Sequence, residues 1–166
     1  MPAFYLRPSL VTLTSANYMT GTPLILSDHG RAPLNMSYER IETRERMANG
    51  TMRSYFIADK RTFELSWENI PSRASGPSGV GQGGSTRLTS DGYAGANDLR
   101  AFYEAATGSF TLDLWIDEAA ISAWNNLPTT AADLALPVYF TAFSSTVTKR
   151  GTYFDLVNVS MTLEQA

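Results

Sequence analysis

The sequence predicts a mainly β protein, an antiparallel β-sandwich or partial barrel with one flanking α-helix and long loops. Three observations carry this. Aromatic residues are frequent, with eight Tyr, eight Phe and three Trp, and Ser and Thr are abundant, a composition that suits strands better than helices. Asn49-Gly50 lies between two segments that read as strands, and this dipeptide most readily takes the two positive φ angles of a type I′ hairpin turn. Several stretches alternate apolar and polar residues with period two, which marks strands with one face in a core.

The elements follow in order. Met1 to Thr14 reads as a first strand through Leu10, Val11 and Leu13, with Pro2 and Pro8 placing it at an edge or making it an N-terminal arm. Tyr18 to Leu34 carries Gly21, Pro23, Gly30 and Pro33 and reads as loop; it holds the only histidine, His29. Asn35 to Met47 bears charge on both faces, Arg40, Glu42, Arg44 and Arg46 on one and Glu39 and Glu45 on the other. Such a strand gains nothing from a core. It belongs in an exposed or subunit-facing position, where opposite charges pair across strands for ~0.2 to 1 kcal/mol each and discourage indiscriminate edge pairing.

After the turn, Thr62 to Trp67 places Phe63, Leu65 and Trp67 on one face as core anchors. The turn then joins core to interface, and the residues expected at a subunit interface are Arg40, Glu42, Arg44, Arg46, Asn49, Gly50 and Arg53. Residues 72 to 87 begin with a Ser, Gly and Pro run that buries too little to offset its ordering entropy and reads as a flexible loop. Ala96 to Thr107 is the one convincing helix: Leu99, Phe102, Tyr103 and Ala106 recur at i, i+3, i+4 and i+7, with Asn97 or Asp98 near the start and Gly108 past the end. Ser109 to Ile116 alternates again. Asp117 to Pro137 reads as a long connection with a short helix, and Val138 to Lys149 with Tyr153 to Leu163 form a C-terminal hairpin turning at Arg150-Gly151.

The whole chain narrows the function classes. At 166 residues it is one domain, residues 1 to 166, with a core large enough to need no staples. Without cysteine there is no disulfide framework, thiolate metal site or cysteine nucleophile. A net charge of −3 gives no cationic excess for tight nucleic-acid binding. No segment approaches the ~18 to 20 apolar residues of a membrane span and no signal sequence opens the chain, so a soluble product without membrane contact is expected.

Candidate chemistry is sparse, and no catalytic residue, metal ligand or cofactor is assigned. His29 stands beside Asp28, but no G-x-S-x-G elbow selects a serine for a triad. The carboxylate pairs Asp117 with Glu118 and Glu42 with Glu45 are sequence neighbours that a strand turns apart or leaves solvated. Gly81, Gly83 and Gly84 precede Ser85-Thr86-Arg87 rather than the Gly-Lys-Ser/Thr of a phosphate loop. Trp115 and Trp124 are the candidates for an exposed aromatic that contacts a ligand or another subunit, while Trp67 falls in register with the core. A sugar-binding β-sandwich module using Trp115 and Trp124, and a hydrolase using Asp28 and His29, remain open alternatives.

Several blocks carry a resemblance: Arg46-Met47-Ala48-Asn49-Gly50-Thr51-Met52-Arg53, Ala58-Asp59-Lys60-Arg61-Thr62-Phe63-Glu64-Leu65-Ser66-Trp67, Asp91-Gly92-Tyr93-Ala94-Gly95 before a helix with Phe102-Tyr103, Gly108-Ser109-Phe110-Thr111-Leu112, and Val157-Asn158-Val159-Ser160-Met161-Thr162-Leu163-Glu164. Together they resemble tail structural proteins of long-tailed phages of actinobacteria, often labelled minor tail proteins, of the tail-tube fold. The resemblance spans roughly Arg31 to Ala166, with the Asp-Lys-x-x-Phe-x-x-Ser-Trp block its most specific part. It implies a non-enzymatic virion subunit assembled in the host cytoplasm. Its inner strands would join those of neighbours in a ring, commonly hexameric, stacked into a tube with other tail proteins, and genomic DNA would pass through without specific binding.

Overall fold

The computed structural model describes residues 10–115, 132 and 134–166. It contains seven strands and one α-helix: β1 (Leu10–Thr14), β2 (Leu24–Ile25), β3 (Asn35–Arg46), β4 (Met52–Pro71), α1 (Ala96–Ala105), β5 (Phe110–Trp115), β6 (Leu134–Lys149) and β7 (Leu156–Gln165). The strands form one open, wholly antiparallel sheet in the order β2-β1-β5-β6-β7-β4-β3. The fold is mainly β with one helix, as the sequence predicts.

The sheet curls because one segment touches both of its ends. Leu24 and Ile25 pair with β1, and a few residues later the same chain lies on β4, where Arg31 bridges Trp67. Ala32 N–H donates to Ser66 O at 2.9 Å, and Glu68 N–H donates to Gly30 O at 2.9 Å. Gly30 is required at this approach: its φ is +67°, and a Cβ would lie 2.2 Å from the Glu68 carbonyl oxygen. Where a sandwich or partial barrel is expected, the described residues form one open seven-stranded sheet.

The apolar face is filled by alternate residues of the strands. Phe63, Leu65 and Trp67 of β4 meet Val157, Val159, Met161 and Leu163 of β7, with Val11 and Leu13 of β1 and Leu112 and Leu114 of β5 beyond. Trp67 also donates its indole N–H to Ser27 O at 2.8 Å, which ties the closing segment to the core. α1 covers this face with Ala96, Leu99 and Phe102, and the Phe102 ring meets Tyr18 at 5.1 Å and Phe110 at 5.2 Å edge-on. Tyr103, expected as a core anchor, is 42% exposed and stacks on Phe143 at 4.7 Å along the helix flank. The helix is capped by Gly95, with Asn97 and Asp98 in its first turn as expected; a Cβ at Gly95 would lie 2.7 Å from the Arg73 backbone. Asp98 accepts the Gly95 N–H at 3.0 Å.

Two further expectations, the edge position of the first strand and the turn type, are corrected. Leu10–Thr14 is an inner strand, paired with β2 on one side and β5 on the other, not an edge or arm; Val11 and Leu13 are fully buried. The rest of the expected arm, and the Asp117 to Ala131 part of the long connection, lie outside the described residues. The Asn49-Gly50 hairpin exists but its turn is not type I′. Gly50 N–H donates to Met47 O at 2.9 Å, Met47 N–H donates to Thr51 O at 2.8 Å, and Gly50 alone has positive φ, +84°. This is a three-residue loop, a type I turn closed by a G1 bulge, and it sets the register Arg46 opposite Met52. Finally, the Gly/Ser excursion has a fastened base: Ser75 bridges Arg87, and Gly76 N–H donates to Thr86 O at 2.8 Å.

On the polar face of β5, Asp113 sits opposite Thr12 and Ala135. Burial raises its carboxyl above the ordinary range, and the Thr12 hydroxyl offsets part of that shift. The folded state therefore keeps this proton to higher pH than the unfolded chain does, so the group costs stability once the pH exceeds the unfolded value. Asp113→Asn is expected to raise the melting temperature at neutral pH and to lose that advantage in acid. Thermal melts of both proteins across pH check this.

Candidate subunit interface

β4 is twenty residues long, but β7 accompanies it only from Thr62 onward. Before Thr62 its strand partner is β3, so the pairs from Tyr38–Arg61 to Arg46–Met52 form a two-stranded ribbon reaching about 30 Å beyond the sheet. Its length follows from sequence. Charged and aromatic residues occupy both faces, so neither face can fold back into the core. A bulge interrupts the register between Ile41 and Glu42, with Ile57 as the extra residue.

The two faces differ. On the side continuous with the core lie Tyr38, Arg40, Glu42, Arg44 and Arg46, opposite Arg61, Asp59, Phe56, Ser54 and Met52. Arg40 Nε pairs with Asp59 at 3.0 Å, which raises the guanidinium above its ordinary value, and the same group lies over the Phe56 ring at 5.8 Å. Ser54 donates to Glu42 at 3.0 Å and Arg44 pairs with the same carboxylate; together they hold it below the ordinary range, the hydroxyl first. Arg61 lies over Tyr38 at 5.5 Å. The other face sets Glu39 opposite Lys60 and Glu45 opposite Arg53, and carries Thr43 opposite Tyr55.

The predicted interface residues thus fall in one place. Arg40, Glu42, Arg44 and Arg46 share the core-side face, Arg53 lies on the other, and Asn49 and Gly50 form the tip. Sequence reasoning missed the apolar part. Tyr38, Met52, Tyr55, Phe56 and Ile57 are each more than half exposed on the ribbon. The signal was present in Tyr55-Phe56-Ile57, a run with no period-two alternation to assign it to a core. A ribbon with so many exposed rings is marginal by itself and calls for a partner.

The sheet also offers two edges. Among the described residues β3 pairs with β4 alone. β6 pairs with β5 only through Leu134–Val138, so from Tyr139 to Lys149 its one strand partner among the described residues is β7. The four long strands therefore run as a unit, β6-β7-β4-β3, ending on a different edge at each side. Away from the helix this unit carries polar side chains, Glu64 and Glu164 among them, and a line of hydroxyls. Ser66, Ser160 and Ser144 form a row across three strands, and the last two hydroxyls are 2.6 Å apart.

The enzymatic candidates do not assemble. His29 Nδ1 accepts the Ser90 N–H at 3.0 Å, the position a triad reserves for a carboxylate, while the Asp28 carboxylate faces Arg31 at 3.9 Å. Burial raises Asp28 against the lowering by Arg31, and burial lowers Arg31 against Asp28 and Asp91. Asp91 accepts from Ser27 Oγ, Asp28 N and Tyr93 N at 2.8 to 3.1 Å, so the cluster clasps two loops. Glu42 and Glu45 point to opposite faces of β3, and Asp117, Glu118 and Trp124 lie outside the described residues. Trp115 is half-buried at the end of β5, opposite Leu10. Among the described residues no group of three or more acidic or histidine side chains could hold a metal, and no helix is long and apolar enough to cross a membrane.

No protein-family model matches the chain, and no curated protein matches it. Among solved structures it is similar to a chain of the tail of an empty GTA particle, described with C6 symmetry: 9% identity over 95% of this chain and 90% of that one, TM-score 0.45. It is also similar to a chain of the sheath/tube terminator of an extracellular contractile injection system, PVC, in the extended state: 14% identity, 98% and 91% coverage, TM-score 0.38. The sheath-tube complex of the same system gives 13% identity, 98% and 86% coverage and a TM-score of 0.37. These neighbours are tail and tail-like structural proteins.

Proposed function

We propose that this chain is a single-domain, non-enzymatic subunit of a phage tail, which joins copies of itself edge to edge into a ring. The observation that supports this reading best is the pair of unlike edges on one four-strand unit. Because β6, β7, β4 and β3 alternate in direction, a rotated copy brings its β6 antiparallel to β3 of the first. The contact is heterologous, so repeating it closes a ring when the rotation divides the circle. The ribbon extends the β3 edge, and its exposed rings and charge pairs gain cover in the same contact. Arg40, Glu42, Arg44, Arg46, Asn49, Gly50 and Arg53 are then interface residues.

Closing such a sheet with α1 outward turns the row of Ser66, Ser144 and Ser160 inward. A hydroxyl-lined wall without cationic excess suits passage of DNA without specific binding. The Gly/Ser excursion at residues 72 to 87 would contact the next ring, a hexamer is the ring the sequence resemblance implies, and the virion is where it would reside. Sedimentation of the purified chain over a concentration series tests the reading: discrete multimers are expected, and a monomer throughout contradicts it. Arg44→Glu, which sets two carboxylates side by side on the ribbon, is expected to leave a folded protein that assembles poorly; normal multimers would remove the ribbon from the interface.

A further inference from the structure

The ribbon tip holds chemistry separate from its place in the proposed interface. Asn49 is the one asparagine in the sequence followed by glycine, and residues 49 to 51 are all exposed. Its side-chain Oδ1 accepts the Thr51 N–H at 3.1 Å and also the Thr51 hydroxyl, so the amide carbonyl is bent back over its own main chain and polarised by two donors. Beyond its two chain neighbours, nothing lies within 4 Å of where a Gly50 Cβ would be, so no other side chain crowds the turn at this glycine. One bond opposes this, the Gly50 N–H to Met47 O at 2.9 Å, and it lies at the solvent-exposed turn.

We propose that Asn49 is a self-modification site at which the free subunit loses its side-chain amide. The Gly50 nitrogen bonds to Asn49 Cγ and gives its proton to water, while the side-chain nitrogen takes a proton from water and leaves as ammonia, closing a five-membered imide. Water then adds to one imide carbonyl and that C–N bond breaks. Opening at the side-chain carbonyl gives an ordinary aspartyl residue at this position; opening at the main-chain carbonyl gives the isoaspartyl linkage. The sum is amide plus water to acid plus ammonia, with no redox change. Either product adds a negative charge at the tip, and the isoaspartyl form lengthens the backbone of a three-residue loop whose closure needs Met47 opposite Thr51. The conversion depends on the turn of the free subunit alone and does not rest on the proposed assembly.

The test is peptide mapping of the folded full chain, kept dilute at physiological temperature and mildly alkaline pH. Fragmentation must distinguish aspartate from isoaspartate. The expected result is amide loss at Asn49 well before Asn35, Asn69 or Asn158, with both products present, and none at this position in Asn49→Gln, where the imide would need a six-membered ring. Retention of the Asn49 amide for as long as those three strand asparagines would overturn the proposal. So would conversion to aspartate without any isoaspartate, since direct hydrolysis needs no imide.

Discussion

Replacing Glu39 to Lys60 by a short turn that joins Tyr38 to Arg61 is expected to abolish assembly while leaving the melting temperature of the domain almost unchanged. The two halves of this result come from different parts of β4. From Thr62 onward the strand is flanked by β7 and carries Phe63, Leu65 and Trp67 into the core. Before Thr62 its one strand partner among the described residues is β3, and its rings and charges are exposed and contact each other. Exposed pairs such as Arg40 with Asp59 are worth little individually, so deleting them takes little from the fold. The same residues form the exposed apolar surface that a neighbour would cover. Sedimentation and thermal unfolding measure the two halves separately. A large fall in melting temperature would show that the ribbon stabilises its own domain, and intact multimers would show that it is not an interface.

Trp67→Ala is expected to have the opposite profile, costing about 3–5 kcal/mol of stability and taking assembly down with folding. The side chain is 1% exposed, packs in the apolar centre and donates to Ser27 O at 2.8 Å. Removing it leaves a cavity and an unsatisfied carbonyl on the segment that closes the sheet, and both effects act in one direction. That loss is a large part of the ~5–15 kcal/mol available to a domain. Trp67→Phe keeps most of the volume and isolates the hydrogen bond, so its cost should be clearly smaller in chemical denaturation. Equal costs for the two variants would refute the account of the closing segment.

Much of the architecture is legible because period-two patterns report faces directly. Phe63-Leu65-Trp67, Leu112-Leu114 and Val157-Val159-Met161-Leu163 are found on the buried side of the sheet, and the helix starts and ends near the predicted positions. The charge on both faces of Asn35 to Met47 likewise identifies a strand outside any core. What could not be read is strand order. Leu10–Thr14 looks like an edge beside two prolines, yet its neighbours β2 and β5 come from later in the chain, and local sequence carries no trace of that pairing. The turn was misread for a related reason. Asn-Gly favours type I′ in a two-residue loop, but Met47 pairs with Thr51 and adds a residue, which moves the positive φ onto Gly50 alone. The free stretch of β6 was invisible as well, since an edge is defined by where β5 stops.

The absence of cysteine allows the central claim to be tested with single covalent reporters. Thr43 and Ser37 lie on β3, and Ser144 and Thr146 on the free stretch of β6; all four are exposed on the face away from the helix. Within one chain the two strands are separated by β7 and β4, about 14 Å, which is beyond disulfide reach. Across an edge-to-edge contact, opposed residues would stand about 4.5 to 5.5 Å apart, within it. Oxidation of variants carrying one cysteine on each strand should give at least one pair that forms a ladder of covalent multimers ending at a closed ring, while the single-cysteine parents give none. If every pair stays monomeric although both thiols react freely with a soluble label, the copies do not join through β3 and β6, and the ring proposed here is wrong.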